Sequence, residues 1–336
     1  MTKFDIVTIG GAVKDYTFYT GQGKIFSTPE NLTAQKMIAF EYGAKITSSQ
    51  AYLTLGGGGA NSAVALAKLG FKTAIITRLG KDESGDEILT KLKKKKVNLD
   101  FIQRDKKHLT GFSFIIANNN KDRDRTIFHY FGCGELLIFK PKMFNQLQTD
   151  WFYLTSLSGE NWLNNLKAIF SFAAQKRAKI YWNPGTKQLQ AGKKILENFL
   201  EQTQVLTLNK DEAIELVLSG VKIGRKNPNR FNRPVYLLNI LREWGPKIVV
   251  ITDGKKGAWA YDGKKIYQQK ATQVKVVDAT GVGDAFGSGF LAGLIAQSHN
   301  AAKALKWGMV NSGSVITKVG AQNGLLSRQE IERKTS

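Results

Sequence analysis

Short apolar runs that end in glycine or a polar turn recur along this chain. Phe4–Ile9 runs into Gly10-Gly11, the pattern of a parallel strand feeding a loop. Lys72–Thr77, Trp151–Leu154, Lys179–Trp182, Val205–Leu208 and Lys247–Ile251 repeat it. Helical patterns lie between them. Asn61–Gly70 carries an Ala/Leu face stopped by Gly70, and Glu83–Lys95 is amphipathic. This alternation predicts an α/β fold, a doubly wound and mostly parallel sheet with helices on both faces.

Two stretches depart from it. Residues 16–55 mix aromatics, threonine and glycine in alternations such as Ala51–Leu55, and read as short antiparallel strands and loops. Thr110–Ala117 and Arg125–Tyr130 read as a hairpin across the polar turn Asn118–Asp122. Together they predict one small sheet, built from inserts at about 12–55 and 108–130. No flexible linker divides the chain, so residues 1–336 read as a single domain. Residues 223–234 read as a basic surface loop.

The net charge is +22, from 49 basic and 27 acidic residues, and such a surface attracts anions. The lysines are spread along the chain, and the one dense run, Lys91–Lys96, reads as the solvated end of a helix. Nucleic acid is therefore not the expected partner. No apolar run is long enough to span a bilayer, so no membrane partner is expected either. Met1–Gly10 reads as a buried strand rather than a signal peptide. Cys133 is the only cysteine, which excludes an internal disulfide, and the three histidines have no zinc spacing. The default expectation is a cytoplasmic location.

The candidate chemistry centres on Val276–Leu294. A strand is expected to end near Asp278, Thr280–Gly283 to turn tightly, and a helix of small residues to begin at about Asp284. Glycines leave backbone N–H groups uncovered, and a helix N-terminus adds unpaired donors, so the turn suits a phosphoryl group. A carboxylate at the same turn can take the proton from an attacking hydroxyl. The alternative is that Asp284 only caps the helix while the glycines permit close packing. No Gly-x-Gly-x-x-Gly string occurs at this turn, and no Gly-Lys-Ser/Thr triplet occurs anywhere, so the two usual nucleotide fingerprints are absent. Upstream, Gly56–Gly59 and Asn61 can bring backbone amides and a side-chain amide to a ligand, or form a loop with an Asn cap. Asp15, after Gly10-Gly11, can accept bonds from paired hydroxyls or serve as a turn residue.

In this order and spacing the segments resemble the ribokinase-like (PfkB) carbohydrate kinase family. Gly56–Gly70 is similar to its N-terminal signature and Asp278–Gly289 to its C-terminal one. Thr207–Glu212 resembles its Asn-x-x-Glu motif, Ile251–Trp259 its nucleotide-side strand and turn, and Thr317–Gln322 the loop beside adenine. The resemblance implies an ATP- and magnesium-dependent phosphotransferase. Asp284 would be the base, with Gly281, Val282 and Gly283 completing the anion hole. Asp15, Gly57, Gly58, Asn61 and Arg125 would face the acceptor, under a small-sheet lid. Thr252, Gly254, Gly257, Gly320, Asn311 and Asn209 would lie on the ATP side. Asn209 and Glu212 would hold magnesium through water, and Asp278 and Thr280 would bind potassium.

The chain departs from ribokinases proper. Gly58 stands where they usually carry lysine, no carboxylate lies near Ser156–Ser158, and the 16–50 region is long. Val282 replaces a commoner alanine, which the backbone chemistry tolerates. These departures argue against ribose itself; the expected acceptor is a small sugar, as in ribokinases or fructokinases, with a nucleoside as the alternative, for which Phe18, Tyr19, Phe40, Tyr42 and Phe128 offer aromatic surface. A non-catalytic regulatory or nucleic-acid-binding relative is the third reading; Asp284, Asn209 and Glu212 argue against it. An exposed lid edge can pair with a second copy to give a homodimer.

Overall fold

The computed structural model describes residues 3–28, 36–118, 125–221 and 228–336. The first half comprises β1 (Lys3–Ile9), β2 (Val13–Thr20), β3 (Lys24–Ser27), β4 (Lys36–Ala39), β5 (Gln50–Gly56), α1 (Gly58–Lys68), β6 (Thr73–Gly80), α2 (Glu83–Lys94), β7 (Ile102–Asp105), β8 (Thr110–Asn118) and β9 (Arg125–Gly132). The second comprises β10 (Gln148–Leu154), α3 (Trp162–Lys176), β11 (Lys179–Trp182), α4 (Thr186–Glu201), β12 (Val205–Asn209), α5 (Lys210–Leu218), α6 (Pro234–Glu243), β13 (Ile248–Thr252), β14 (Ala258–Tyr261), β15 (Ile266–Gln269), α7 (Val282–Ala296), α8 (Ala301–Val315) and α9 (Arg328–Thr335).

Nine strands form the large sheet in the order β15-β14-β13-β12-β11-β10-β1-β6-β7. The pairs from β13 through β7 are parallel. Its central strands are apolar on both faces because helices cover both. Phe152, Leu154 and Trp182 pack with Leu166, Leu196, Leu216 and Leu237 of α3 to α6. Ile6, Tyr153, Tyr181 and Val250 pack on the opposite side with Phe290 of α7 and Leu305 of α8. The doubly wound expectation holds. The antiparallel edge pair β14 and β15 was not anticipated, because four-residue strands carry little periodicity.

The small residues of α7 let it lie close to the sheet. A Cβ on Gly287 would sit 2.2 Å from the Tyr153 hydroxyl, and one on Gly289 would sit 3.0 Å from the backbone of α8. A larger side chain at either position would push this helix, and its N-terminus, off the sheet.

The second sheet has the order β5-β2-β8-β9. It is not wholly antiparallel: β2 pairs antiparallel with β5 but parallel with β8. The reason is topological. β1 and β7 run the same way in the large sheet, so the chain leaves both at the same edge to start β2 and β8. Alternation then sorts the two faces. Tyr16, Phe18, Leu53, Phe112, Phe114, Phe128 and Tyr130 share one face; Asp15, Ser113, Arg125, His129 and Phe131 share the other. β3 and β4 form a separate two-stranded hairpin.

The expected basic loop at 223–234 is corrected in part. Pro228–Asn232 is a 3-10 turn with Phe231 buried, and Pro234 opens α6, where its missing N–H costs nothing. The rest of that loop, and most of the 118–122 turn, lie outside the described residues. The Lys91–Lys96 run caps α2 at its exposed end as expected. Among the described residues no helix is long and apolar enough to cross a membrane.

Candidate active site

The C-terminal ends of the parallel strands open into a cavity of about 290 Å³. Gly10 and Gly11 follow β1, Thr155 follows β10, Asn183 follows β11, and all four line it together with Asp284. This edge is where open parallel sheets leave room for ligands.

Asp284 sits in the first turn of α7, whose N-cap Gly281 has φ 70°. A Cβ at Gly281 would meet the Ala321 Cβ at 2.2 Å, so conformation and space both demand glycine. The helical ladder begins with Ala285 N–H donating to the Gly281 carbonyl at 2.9 Å. The N–H groups of Val282, Gly283 and Asp284 are therefore left without helical acceptors. Gly283 has open space around its Cα, which keeps these donors uncovered. A carboxylate and a cluster of N–H donors thus share one turn.

Asn61 clamps the carboxylate. Its Nδ2 donates to Asp284 Oδ2 at 2.8 Å, and its Oδ1 accepts from Gln322 Nε2 at 3.0 Å. Burial raises the Asp284 carboxyl above the ordinary aspartate range, and the Asn61 bond opposes that rise. Across the gap, a Cβ on Gly58 would start 3.3 Å from Asp284 Oδ1 and 3.2 Å from Thr155. Gly57, with φ 89°, also lines the cavity, and a Cβ there would meet the Gly11 carbonyl at 2.5 Å. Two glycine loops therefore press together to leave the carboxylate open on one side.

The model of the pfkB family of carbohydrate kinases matches residues 32–328. The chain belongs to this family. It is 25% identical over 304 residues to a ribokinase of Haemophilus influenzae, covering 89% of this chain and 94% of that protein. Solved structures share the fold, among them two with bound ligands. A putative ribokinase II from E. coli in complex with ATP and magnesium has a TM-score of 0.75 at 20% identity, covering 98% of both chains. A nucleoside kinase of Burkholderia thailandensis in complex with inosine has a TM-score of 0.75 at 16% identity, covering 98% of this chain and 97% of that one. This pfkB kinase is thus an enzyme, and its fold is one used with ATP.

The remaining expected residues of this pfkB kinase fall into three groups. In the group expected on the nucleotide side, Asn209 ends β12 opposite Thr252 at the end of β13. Asn209 Oδ1 accepts from Glu212 N–H at 2.9 Å and Glu212 Oε2 accepts from Asn209 N–H at 2.8 Å, a reciprocal cap. Glu212 also lines the cavity, and burial raises its carboxyl. Gly254 and Gly257 bracket the turn after β13, both at positive φ.

The second group is a buried brace. Asp278 Oδ1 accepts from Thr280 N–H and Oδ2 from Gly320 N–H, each at 2.8 Å. Gly320, expected on the ATP side, is thereby tied to the loop that precedes α7. Thr280 Oγ1 is buried without a hydrogen-bond partner among the described residues. Asn311 lies apart: it is fully buried, with Nδ2 donating to the Ala285 carbonyl and Oδ1 accepting from Leu326 N–H.

The third group belongs to the small sheet. Asp15 is 4% exposed and is absent from the cavity wall, as is Asn61. Desolvation is the main reason its carboxyl is pushed up to about 6; Asp278 and Asp284 add to the rise, while Ser113 and Arg125 oppose it. Arg125 Nη2 donates to the Ala279 carbonyl at 3.0 Å, joining β9 to the loop before Gly281. The aromatics Phe18 and Phe128 lie on the face opposite Asp15. The cavity instead meets His129 and Phe131. These two, with Gln322 and Thr155, are the residues that sequence reasoning missed. Alternation along β9 marks His129 and Phe131 as sharing a face, but only the register with β8 says which face looks inward.

Proposed function

We propose that this chain transfers the terminal phosphoryl group of ATP to a hydroxyl of a small sugar, with Asp284 as general base. The carrying observation is one carboxylate and a cluster of N–H donors without helical acceptors within a single turn, whose Asp284 lines the cavity. In this reading the acceptor oxygen attacks the terminal phosphorus as its proton passes to Asp284, and the bond to the ADP oxygen breaks. The N–H groups of Gly281, Val282, Gly283 and Asp284 stabilise charge on the transferring oxygens. Asn61 orients Asp284 and opposes the rise that burial imposes on its carboxyl. Gly57 and Gly58 bound the acceptor, and the small sheet closes over it as a lid, excluding water that would otherwise hydrolyse ATP. Thr252, Gly254 and Gly257 bound the nucleotide.

Among the described residues no three metal-ligating side chains cluster, which suits an ion held chiefly by phosphates and water. Asn209 and Glu212 would hold magnesium through water, and the ion would neutralise phosphate charge. The orphaned Thr280 Oγ1 beside Asp278 supports a monovalent cation there. The outer face of the lid exposes Leu53 (56%), Phe128 (58%) and Tyr130 (46%), which supports pairing with a second copy of the chain.

A nucleoside acceptor is the second reading, supported by the rings of His129 and Phe131 in the cavity wall. ADP release measured over a panel of D-ribose, D-fructose, fructose 6-phosphate, adenosine, cytidine and inosine separates the two. Turnover of a sugar supports the first reading and turnover of a nucleoside the second. No acceptor-dependent ADP release would overturn both.

A further inference from the structure

Among the described residues, Arg78 is the one cationic side chain in the cavity wall; the other charged groups there are Glu212 and Asp284. His129 is neutral at physiological pH, because desolvation holds its imidazole below the ordinary range. Arg78 lies near the end of β6, and three bonds fix its guanidinium. Nε donates to Asp105 Oδ2 at 3.0 Å, Nη2 donates to the same oxygen, and Nη1 donates to the Leu136 carbonyl at 2.9 Å. Leu136 stands between the wall residues Gly134 and Leu137, so the guanidinium belongs to that part of the wall. A guanidinium has five N–H donors. Two are left over, and no hydrogen bond among the described residues engages them.

We infer that Arg78 is a specificity-determining residue: its two remaining N–H groups donate to a hydroxyl oxygen of the phosphoryl acceptor other than the reacting one, and its pairing with Asp105 excludes acceptors that carry a phosphate or carboxylate. The inference rests on the reading of the cavity as the acceptor site, and it narrows that reading to uncharged sugars and nucleosides.

Charge sets the class. Asp105 ends β7 and is 5% exposed. Its Oδ1 accepts from the N–H groups of Lys107 and His108, each at 2.8 Å, and lies 3.1 Å from His108 Nδ1. Arg78 first, and then those backbone N–H groups, hold its carboxyl well below the ordinary aspartate range, so it is ionised at physiological pH. The pair as a whole is therefore neutral, and Arg78 has no net charge to give an anion. The other two charges in the wall are carboxylates, which repel one. A neutral oxygen needs only the N–H groups. Asp105 and Leu136 already hold the guanidinium in place, so little freedom is lost when its spare donors bind. The same three bonds also pin β6 to β7 and to the turn after β9, and the test must separate that pin from recognition.

The test is steady-state kinetics on the panel above, extended by D-gluconate. Wild type should prefer an uncharged acceptor, and a preference for fructose 6-phosphate or gluconate would overturn the proposal. Asp105→Asn keeps an oxygen for Lys107 and His108 but removes the charge held against Arg78. The inhibition constants of the two anions against the best acceptor should then fall about tenfold, and unchanged constants would overturn the proposal. Arg78→Met alone would strand the Asp105 charge, so it is combined with Asp105→Asn. The double variant should raise the acceptor KM about tenfold, the worth of one hydrogen bond, with the KM for ATP within about twofold. Over a set of acceptor analogues each lacking one hydroxyl, wild type and double variant should converge on the analogue without the bonded oxygen. A pin alone would raise KM alike for every analogue, and that result would sink the proposal. An unchanged acceptor KM, with Asp284→Asn inactive in parallel, would also sink it and leave the kinase reading standing. Wild-type silence on every acceptor would overturn both. If the double variant fails to fold, Arg78→Lys decides, since lysine keeps the charge without the fork: a wild-type acceptor KM there would overturn the proposal.

Discussion

The α7 wall of the cleft and the small-sheet wall face the same cavity but use different parts of the chain. The α7 wall works through backbone. Gly281–Asp284 offers N–H groups, glycines supply the space, and the one side chain involved, Asp284, is held by a single amide. The small-sheet wall works through side chains aligned by strand register: His129 and Phe131 of β9 line the cavity, with Ser113 of β8 and Asp15 of β2 behind His129 in the same row. Backbone chemistry is indifferent to what the acceptor is, so the first wall suits the step common to every substrate. Side-chain chemistry is specific, so the second wall suits the choice among them.

Breaking the α7 wall should have the larger effects. Gly281→Ala places a Cβ against Ala321 at a positive φ. It should lower kcat by about 10²- to 10³-fold, the cost of misplacing an anion-hole donor. Steady-state kinetics check this, and a change in acceptor KM alone would reverse the assignment of the two walls. Asn61→Ala removes the bond that opposes the rise of the Asp284 carboxyl. As the proposed base, Asp284 would work ionised, so activity should fall as pH drops through its titration. Without Asn61 that acid limb should move to higher pH, with kcat at pH 7 down by roughly 10-fold. A pH–rate profile with an unmoved acid limb would show that Asn61 does not tune the base.

The small-sheet wall should reveal itself in stability. Asp15 titrates near 6 when folded against 3.8 as its ordinary value, so the folded state holds the proton more tightly. Its ionised form therefore costs stability as pH rises from about 4 to 6. Asp15→Asn should raise stability at pH 8 by roughly 1–3 kcal/mol, a gain that shrinks toward zero as pH falls to about 4. Chemical denaturation at both pH values measures it. The smallest effect concerns the brace between the walls. If a cation fills the space by Thr280 Oγ1, replacing sodium with potassium should raise activity a few-fold, and Thr280→Val should lose that response.

The same contrast explains what could be read from sequence. The α7 wall is contiguous, and its glycines are required by φ and by contact, so Asp278–Gly289 carries its signature within twelve positions. The alternating strands of the large sheet were legible because burial on both faces leaves unbroken apolar runs. The small-sheet wall was not legible. Residues facing the cleft on β8 look like their neighbours until the parallel pairing of β2 with β8 sets the inward face. That pairing joins Asp15 to Ser113, about a hundred positions away. Phe18 and Phe128 were therefore named where His129 and Phe131 stand. Amides mislead in the same way. Asn61 and Asn311 both have donors and acceptors to offer, and only the fold shows Asn61 bound to Asp284 and Gln322 and Asn311 to the α7–α8 seam.

The division between the walls rests on Asp284 as the group that takes the proton. Asp284→Asn keeps the shape and the Asn61 contact while removing the charge. Measured as acceptor-dependent ADP release under saturating ATP, the variant should lose about 10³- to 10⁴-fold in kcat, with the KM for ATP within about threefold of wild type. A variant that turns over within about tenfold of wild type would contradict the account.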